Sequence, residues 1–317
     1  APALSITGSD PEALKGVDPA RIQTWQRASA QPTKPYYDAM TANRFQWCVA
    51  AYPTRAWAEK VFPDKKGEDA VDALWDAIFS VCRITGDGKG VERWKEHIEA
   101  TARRAKILND YNFKSLHYTN SLGTDLTIRL PDRHVWMGGA DATPAGVEFV
   151  ANMPTEELFT APRWDGVDGR VYAALPLALN GNLVRDFYLD FRNGKIVDVH
   201  AGEGEEVLKN SINLDEGSSY LGEVALVPYD SPIRNTGVLF YNTLFDENAS
   251  CHLAFGSAYP NCVKGGEKLD EKGQKAAGLN QSMNHVDFMV GTTDLSITGS
   301  TWDGREIPVF VEGNFAF

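Results

Sequence analysis

Apolar positions recur at helical spacing in residues 71–82, where Val71, Leu74, Trp75, Ile78, Phe79 and Cys82 make one stripe and predict a helix with a buried face. After the glycine-rich break Thr85-Gly86-Asp87-Gly88 the period resumes in Val91, Trp94, Ile98, Ala102, Ala105 and Leu108, a second helix. Ahead of both, residues 45–51 read as a strand that turns near Pro53 into another helix. Beyond Tyr111 the period changes to two. Leu126, Ile128 and Leu130 alternate with polar residues, and the dipeptides Asn180-Gly181, Asn193-Gly194 and Asp303-Gly304 mark turns.

Strands at 171–179, 183–191 and 195–200 therefore form a β-meander, followed by an acidic helix at 203–211. Residues 223–228, 286–290 and 295–298 read as further short strands, and the polar run 264–275 as an exposed loop. The predicted class is α+β. An α-rich, partial α/β N-terminal domain covers 1–110, and a β-rich mixed C-terminal domain covers 111–317.

Composition narrows the classes. The 317 residues carry 31 Lys+Arg against 43 Asp+Glu, a net charge of −12, with a hydrophobic fraction of 43%. These values fit a globular chain of about two domains and exclude collagen-like, coiled-coil and largely disordered readings. A negative field disfavours nucleic acid and anionic membrane surfaces as partners. The most basic stretch, residues 93–106, interleaves Glu96 and Glu99 and reads as a solvated helix face. No apolar run reaches the roughly 18 residues that span a bilayer. Ala1-Pro2-Ala3-Leu4 shows no intact signal peptide and no initiator Met, so the chain is expected to begin after processing or to be part of something longer. Cys48, Cys82, Cys251 and Cys262 include no C-x-x-C pair, which argues against a disulfide scaffold or a cysteine zinc site and suits a reducing, cytoplasmic setting.

Candidate chemistry rests on imidazoles and carboxylates, because G-x-S-x-G, P-loop and dinucleotide-binding motifs are absent from the sequence. In Asn284-His285-Val286-Asp287 the His and the Asp are two apart, so on a strand both project from one face. Glu247 and His252 are five apart across a turn or bend. Glu223 opens an apolar strand, and Glu156-Glu157 precede another. A carboxylate desolvated at such a place needs a partner. For any one of these acids a salt bridge suffices; together, several acids and two imidazoles without a thiolate are what two divalent ions sharing a bridging acid require.

An ordered series of segments carries a resemblance: Asn152-Met-Pro-Thr-Glu-Glu-Leu-Phe-Thr160, Glu223-Val-Ala-Leu-Val-Pro228, Ser231-Pro-Ile233, the run from Leu239 through Phe245-Asp-Glu-Asn-Ala-Ser-Cys-His252, Ala258-Tyr-Pro260, Gly278-Leu-Asn280 and His285-Val-Asp-Phe-Met289. The chain resembles the thermophilic-type metallo-aminopeptidases, the family of aminopeptidase T, aminopeptidase S and PepS, over at least residues 111–317. The resemblance implies a homodimeric hydrolase acting on peptides with a free N-terminus. It implies two divalent ions (Zn, Co, Mn or Mg), with metal positions Glu157, Glu223, Glu247, His252, His285 and Asp287, Glu223 bridging. Tyr259 would assist catalysis and Glu156 would serve as general base, motif alignment alone separating the two glutamates. Family members carry a further N-terminal segment, so the resemblance implies a shortened first domain.

Two other readings stand beside it. A glycoside hydrolase built on paired carboxylates leaves His252 and His285 without a role. A β-rich binding domain would use the same residues to hold a structural cation. His97, His117, His134 and His200 read as structural, Cys251 as a buried spectator thiol, and Trp136 and Trp164 as core.

Overall fold

The computed structural model describes residues 1–8 and 10–317. Strand β1 (Ala3–Thr7), helix α1 (Pro19–Thr41) and strand β2 (Trp47–Ala51) open the chain, β1 pairing with β2 in parallel. Helices α2 (Arg55–Val61), α3 (Glu68–Val81) and α4 (Gly90–Tyr111) follow. The chain then runs through β3 (Ser115–Thr119), β4 (Asp125–Arg129), β5 (Asp141–Ala142), β6 (Glu148–Phe149), β7 (Leu158–Thr160), β8 (Val167–Tyr172), β9 (Leu177–Leu179), β10 (Asn182–Arg192) and β11 (Lys195–Glu203). The remainder comprises α5 (Glu205–Ile212), β12 (Leu221–Leu226), α6 (Pro232–Asn235), α7 (Thr243–Asp246), β13 (His252–Gly256), α8 (Glu271–Ala276), β14 (His285–Met289), β15 (Ser296–Ser300), β16 (Glu306–Val311) and β17 (Asn314–Phe315). The class is mixed α+β, with the change from helices to strands falling between Tyr111 and Ser115.

The predicted helices form, although Phe79, Val91 and Ala102 of the predicted stripes are exposed. Ala70, Leu74, Ile78 and Val81 are the buried face of α3; Trp94, Thr101, Ala105 and Leu108 are that of α4, which ends on Asn112 in the left-handed region. Asn180-Gly181 and Asn193-Gly194 take positive φ at both residues, as a type I′ hairpin turn requires. The predicted strand 171–179 divides into β8 and β9 around Pro176, which has no N–H for a ladder. The polar run 264–275 includes all but the last residue of α8, a helix capped by Asp270 and burying none of its residues, so no apolar period announced it. Helix α1 was likewise illegible. It carries Pro32 and Pro35 within it, and its docking depends on polar ties such as Gln23 Nε2 donating to the Asn210 carbonyl at 3.1 Å.

A nine-stranded sheet in the order β11-β10-β8-β4-β3-β15-β16-β17, with β9 on β10, faces a smaller antiparallel sheet in the order β14-β13-β12-β7. Both contribute to one core: Leu116, Ile128, Leu189 and Ile297 from the large sheet meet Val224, Leu253, Phe255 and Phe288 from the small one. A second cluster joins Trp57, Leu74 and Ile78 of the N-terminal helices to Ile233, Phe240 and Phe245. The segment around 233–249 is thus clamped between the α-rich part and the small sheet.

Candidate metal centre

Strand alternation places the candidate residues on one face of the small sheet. Glu223 stands opposite Ala254, and Ala254 opposite Asp287. His252 lies two residues before Ala254, and His285 two before Asp287, so all four share that face. Ala225, two beyond Glu223, pairs with Phe159, which brings Glu157 to the same side. The opposite face presents Leu158, Val224, Leu253, Phe255 and Phe288 to the core. Burial of that apolar face is what turns the polar set toward the cavity.

The resulting geometry is compact. His252 Nε2 lies 3.0 Å from Glu157 Oε2 and 3.9 Å from Glu223 Oε1. His285 Nε2 lies 3.1 Å from Glu223 Oε2 and 3.2 Å from Asp287 Oδ1. Donor atoms within 4.8 Å of one another form two groups, Glu157-Glu223-His252 and Glu223-His285-Asp287. Glu223 belongs to both. Each imidazole is oriented through its other nitrogen, His285 Nδ1 at 2.7 Å from the Ser257 carbonyl and His252 Nδ1 at 3.3 Å from that of Ser250, which leaves both Nε2 atoms for the acids.

Electrostatics match that arrangement. Burial alone would depress His252, but its hydrogen bond to Glu157 and the charges of Asp287 and Glu247 outweigh it and lift the imidazole to about 10. His285 is likewise carried well above its ordinary range, against burial, by Asp287 and Glu223. Glu247 is driven well up by burial and by the charges of Asp287 and Glu157. Acids crowded this closely need cations, and a divalent ion would displace the imidazolium protons. The donors are oxygen and nitrogen only, so the set suits Zn, Co, Mn or Mg and fits a divalent metal.

Glu247 lies in a 3-10 turn just after α7 and lines the same cavity, outside both three-residue groups. Tyr259 also lines it, its ring edge-on to His285 at 5.3 Å and to Phe159 at 5.7 Å. Glu156 is placed differently from expectation. Neighbours in extended chain point to opposite sides, and the Glu156 carboxylate turns away from the cavity to Arg83, whose Nη2 donates to Oε2 at 2.8 Å while Nη1 lies 2.5 Å from Oε1. An acid committed to a half-buried guanidinium is poorly suited to the general-base role expected of it.

Several supporting residues were missed. Asn248, fully buried, accepts from the Glu156 N–H at 2.7 Å and donates to the Leu244 carbonyl at 3.1 Å and to Glu247 Oε1 at 3.4 Å, tying two candidate-bearing segments together. His97 Nε2 lies 2.7 Å from the Thr155 carbonyl, so this histidine braces the Glu156-Glu157 segment from α4. The preceding residues are held by β2, where Val49 N donates to the Ala151 carbonyl at 2.8 Å and Met153 N to the Val49 carbonyl at 2.9 Å. Only the motif position of Asn248 beside Glu247 could have flagged any of these. Trp136 and Trp164 do not line the cavity, whereas Trp47, Asn43, Asp141, Asn152 and Asn261 do, around about 750 Å³ open to solvent. Cys251 is buried and its thiol is pushed to about 12 by burial, consistent with an inert spectator.

A sheet that buries one face and gathers carboxylates and two imidazoles on the other, at the floor of an open cavity, defines a metal-dependent enzyme of the hydrolytic type. Comparison with known proteins gives the family. Residues 1–315 match the thermophilic metalloprotease (M29) family, and the chain belongs to it. Similar relatives include aminopeptidase AmpS of Bacillus subtilis, 46% identical over 314 residues that make up 99% of this chain and 76% of the relative. Aminopeptidase T of Thermus thermophilus is 41% identical over 312 residues, 98% of this chain and 76% of the relative. The solved structure of wild-type AmpT from Thermus thermophilus superposes with a TM-score of 0.89 at 41% identity, covering 100% of this chain and 77% of that one.

Proposed function

We propose that this metallopeptidase is a cocatalytic two-metal aminopeptidase that releases the N-terminal residue from peptides. The observation that carries the two-metal reading is the pair of three-residue donor groups sharing Glu223. Glu157 and His252 would hold one ion, His285 and Asp287 the other, with Glu223 between them and Glu247 as sixth donor. Bound there, the ions would supply a nucleophilic water near neutral pH and polarise the scissile carbonyl.

The chain's own residues do the rest. Tyr259, whose phenol is kept protonated by burial and by the charges of Glu223 and Asp287, donates its O–H to the carbonyl oxygen as negative charge develops there. Glu247 lies outside both compact groups, and its carboxylate at the cavity wall takes the water proton and passes it to the leaving amine. Glu156 acts through Arg83 and Asn248 on the position of Glu157. A cytoplasmic homodimer belongs to the same proposal, by resemblance to the family, and the four free cysteines suit a reducing compartment.

The test is release of chromophore from an unblocked leucyl anilide with and without chelator, and after return of each metal. Metal-dependent release, abolished in Glu223→Ala and His285→Ala while their circular dichroism is kept, is the expected outcome. Release that survives complete metal removal, or that is equal on an N-blocked substrate, refutes the mechanism.

A further inference from the structure

One acid of the cavity is left over once the metals are counted. Glu157, Glu223, Glu247 and Asp287 carry four negative charges, which two divalent ions neutralise. Asp141 lines the same cavity at the start of β5, four residues past Met137, whose backbone bonds both ways with Phe159 at 2.9 Å. The Gly138-Gly139 link lets this loop press against α4 and the Glu157 segment. A Cβ at Gly138 would stand 2.7 Å from Leu158 Cδ2, and one at Gly139 3.2 Å from the Ile98 carbonyl.

Asp141 is half-buried in the cavity wall, and what bears on its charge is burial, a hydrogen bond from Asn43 and repulsion by Glu157, with no cation among them. A carboxylate partly desolvated without a counter-charge is costly, and such groups persist where a ligand supplies the missing partner. A second observation points the same way. Asn261, which follows the Tyr259-Pro260 turn and lines this cavity, has a buried Oδ1 with no hydrogen-bond partner among the described residues. Both groups accept hydrogen bonds, and what they lack is a multiple N–H donor with positive charge. Trp47 offers an aromatic lining in the same wall.

We infer that Asp141, assisted by Asn261, recognises an ammonium or guanidinium group on the first residue of the peptide, an assignment that rests on the aminopeptidase reading above. The source of that cation is the α-ammonium common to all substrates or the side chain of an N-terminal Lys or Arg. Asp141 is a binding residue here and exchanges no proton with the substrate.

The experiment compares wild type with Asp141→Asn and Asn261→Ala, each reconstituted with metal, on unblocked lysyl, arginyl and norleucyl anilides. Metal content and far-ultraviolet circular dichroism are measured alongside. If the partner is the side chain, Asp141→Asn loses about tenfold or more in kcat/KM on the lysyl and arginyl substrates, through KM, and distinctly less on the norleucyl one. An equal loss of that size on all three, at unchanged metal content, assigns Asp141 to the α-ammonium. Values within about twofold of wild type on all three overturn the inference. Calorimetric binding of lysinamide and norleucinamide to the metal-free protein keeps the two readings apart. If wild type hydrolyses no unblocked anilide the peptidase reading fails, and Asp141 is then judged by binding alone: amide affinity lost in Asp141→Asn supports its role, and affinity unchanged overturns it.

Discussion

Replacing Asp141 with Asn should make the protein more stable, by an amount that depends on pH. Burial raises this carboxyl from its ordinary 3.8 to about 6, against the hydrogen bond from Asn43 and with repulsion from Glu157 adding to the rise. A carboxyl whose folded value lies above its unfolded one binds its proton more tightly in the native state. Stability is therefore highest below 3.8 and falls as pH rises toward about 6, above which the loss is constant. At about 1.4 kcal/mol per pH unit the full loss is about 3 kcal/mol. Contact with the open cavity screens part of it, so about 1.5–3 kcal/mol is expected. Asn keeps an oxygen for the Asn43 bond and never ionises, so the variant escapes the loss. Urea denaturation of both proteins at several pH values from 4 to 8, metal-free and metal-loaded, reads the difference directly. The two curves should nearly coincide at about pH 4 and separate progressively to about pH 6, the variant above. A gap independent of pH, or a variant less stable at pH 7, would show that Asp141 is not held at the expense of the fold. Greater stability joined to poorer turnover is the signature of a group retained for function.

Further outcomes follow from the site's supports. Asn248→Ala strands the part-buried Glu156 N–H and the buried Leu244 carbonyl, at about 1–3 kcal/mol for each group, so a loss of about 2–6 kcal/mol is expected in denaturant melts, together with weaker metal binding by calorimetry; a loss below about 0.5 kcal/mol refutes the bracing role. Glu156→Gln takes the carboxylate from the half-buried Arg83 and should cost about 1–3 kcal/mol, while folded, metal-loaded protein keeps turnover within about tenfold and Glu157→Gln loses more than about a hundredfold. Abolished turnover in folded Glu156→Gln would restore the general base to that residue. Tyr259→Phe should lower kcat by about 10²–10³ with KM and metal content unchanged, and a change confined to KM would assign the hydroxyl to substrate binding instead.

Much of the fold was legible because local periodicity reports which face of an element is buried. The stripes of α3 and α4 and the paired positive-φ turns at Asn180-Gly181 and Asn193-Gly194 are properties of short stretches, and each forms where its residues predict it. The polar character of α1 and α8 hid them, since neither is organised around an apolar face that a period would reveal.

At the site the sequence determined the inventory and part of its direction. His285 and Asp287, two apart on one strand, could only share a face, and the spacing of the other motifs supplied the remaining donors without a thiolate. Tertiary structure decided what spacing cannot express. The register of β12 between β7 and β13 turned Glu157 toward the cavity, and Arg83 from the end of α3 took up Glu156. The same packing set Asn248 between two candidate-bearing segments and left Asp141 without a counter-charge among the described residues. Alternation along a strand is intrinsic to the backbone. The partner that each side chain meets is set by chain segments tens to hundreds of residues away.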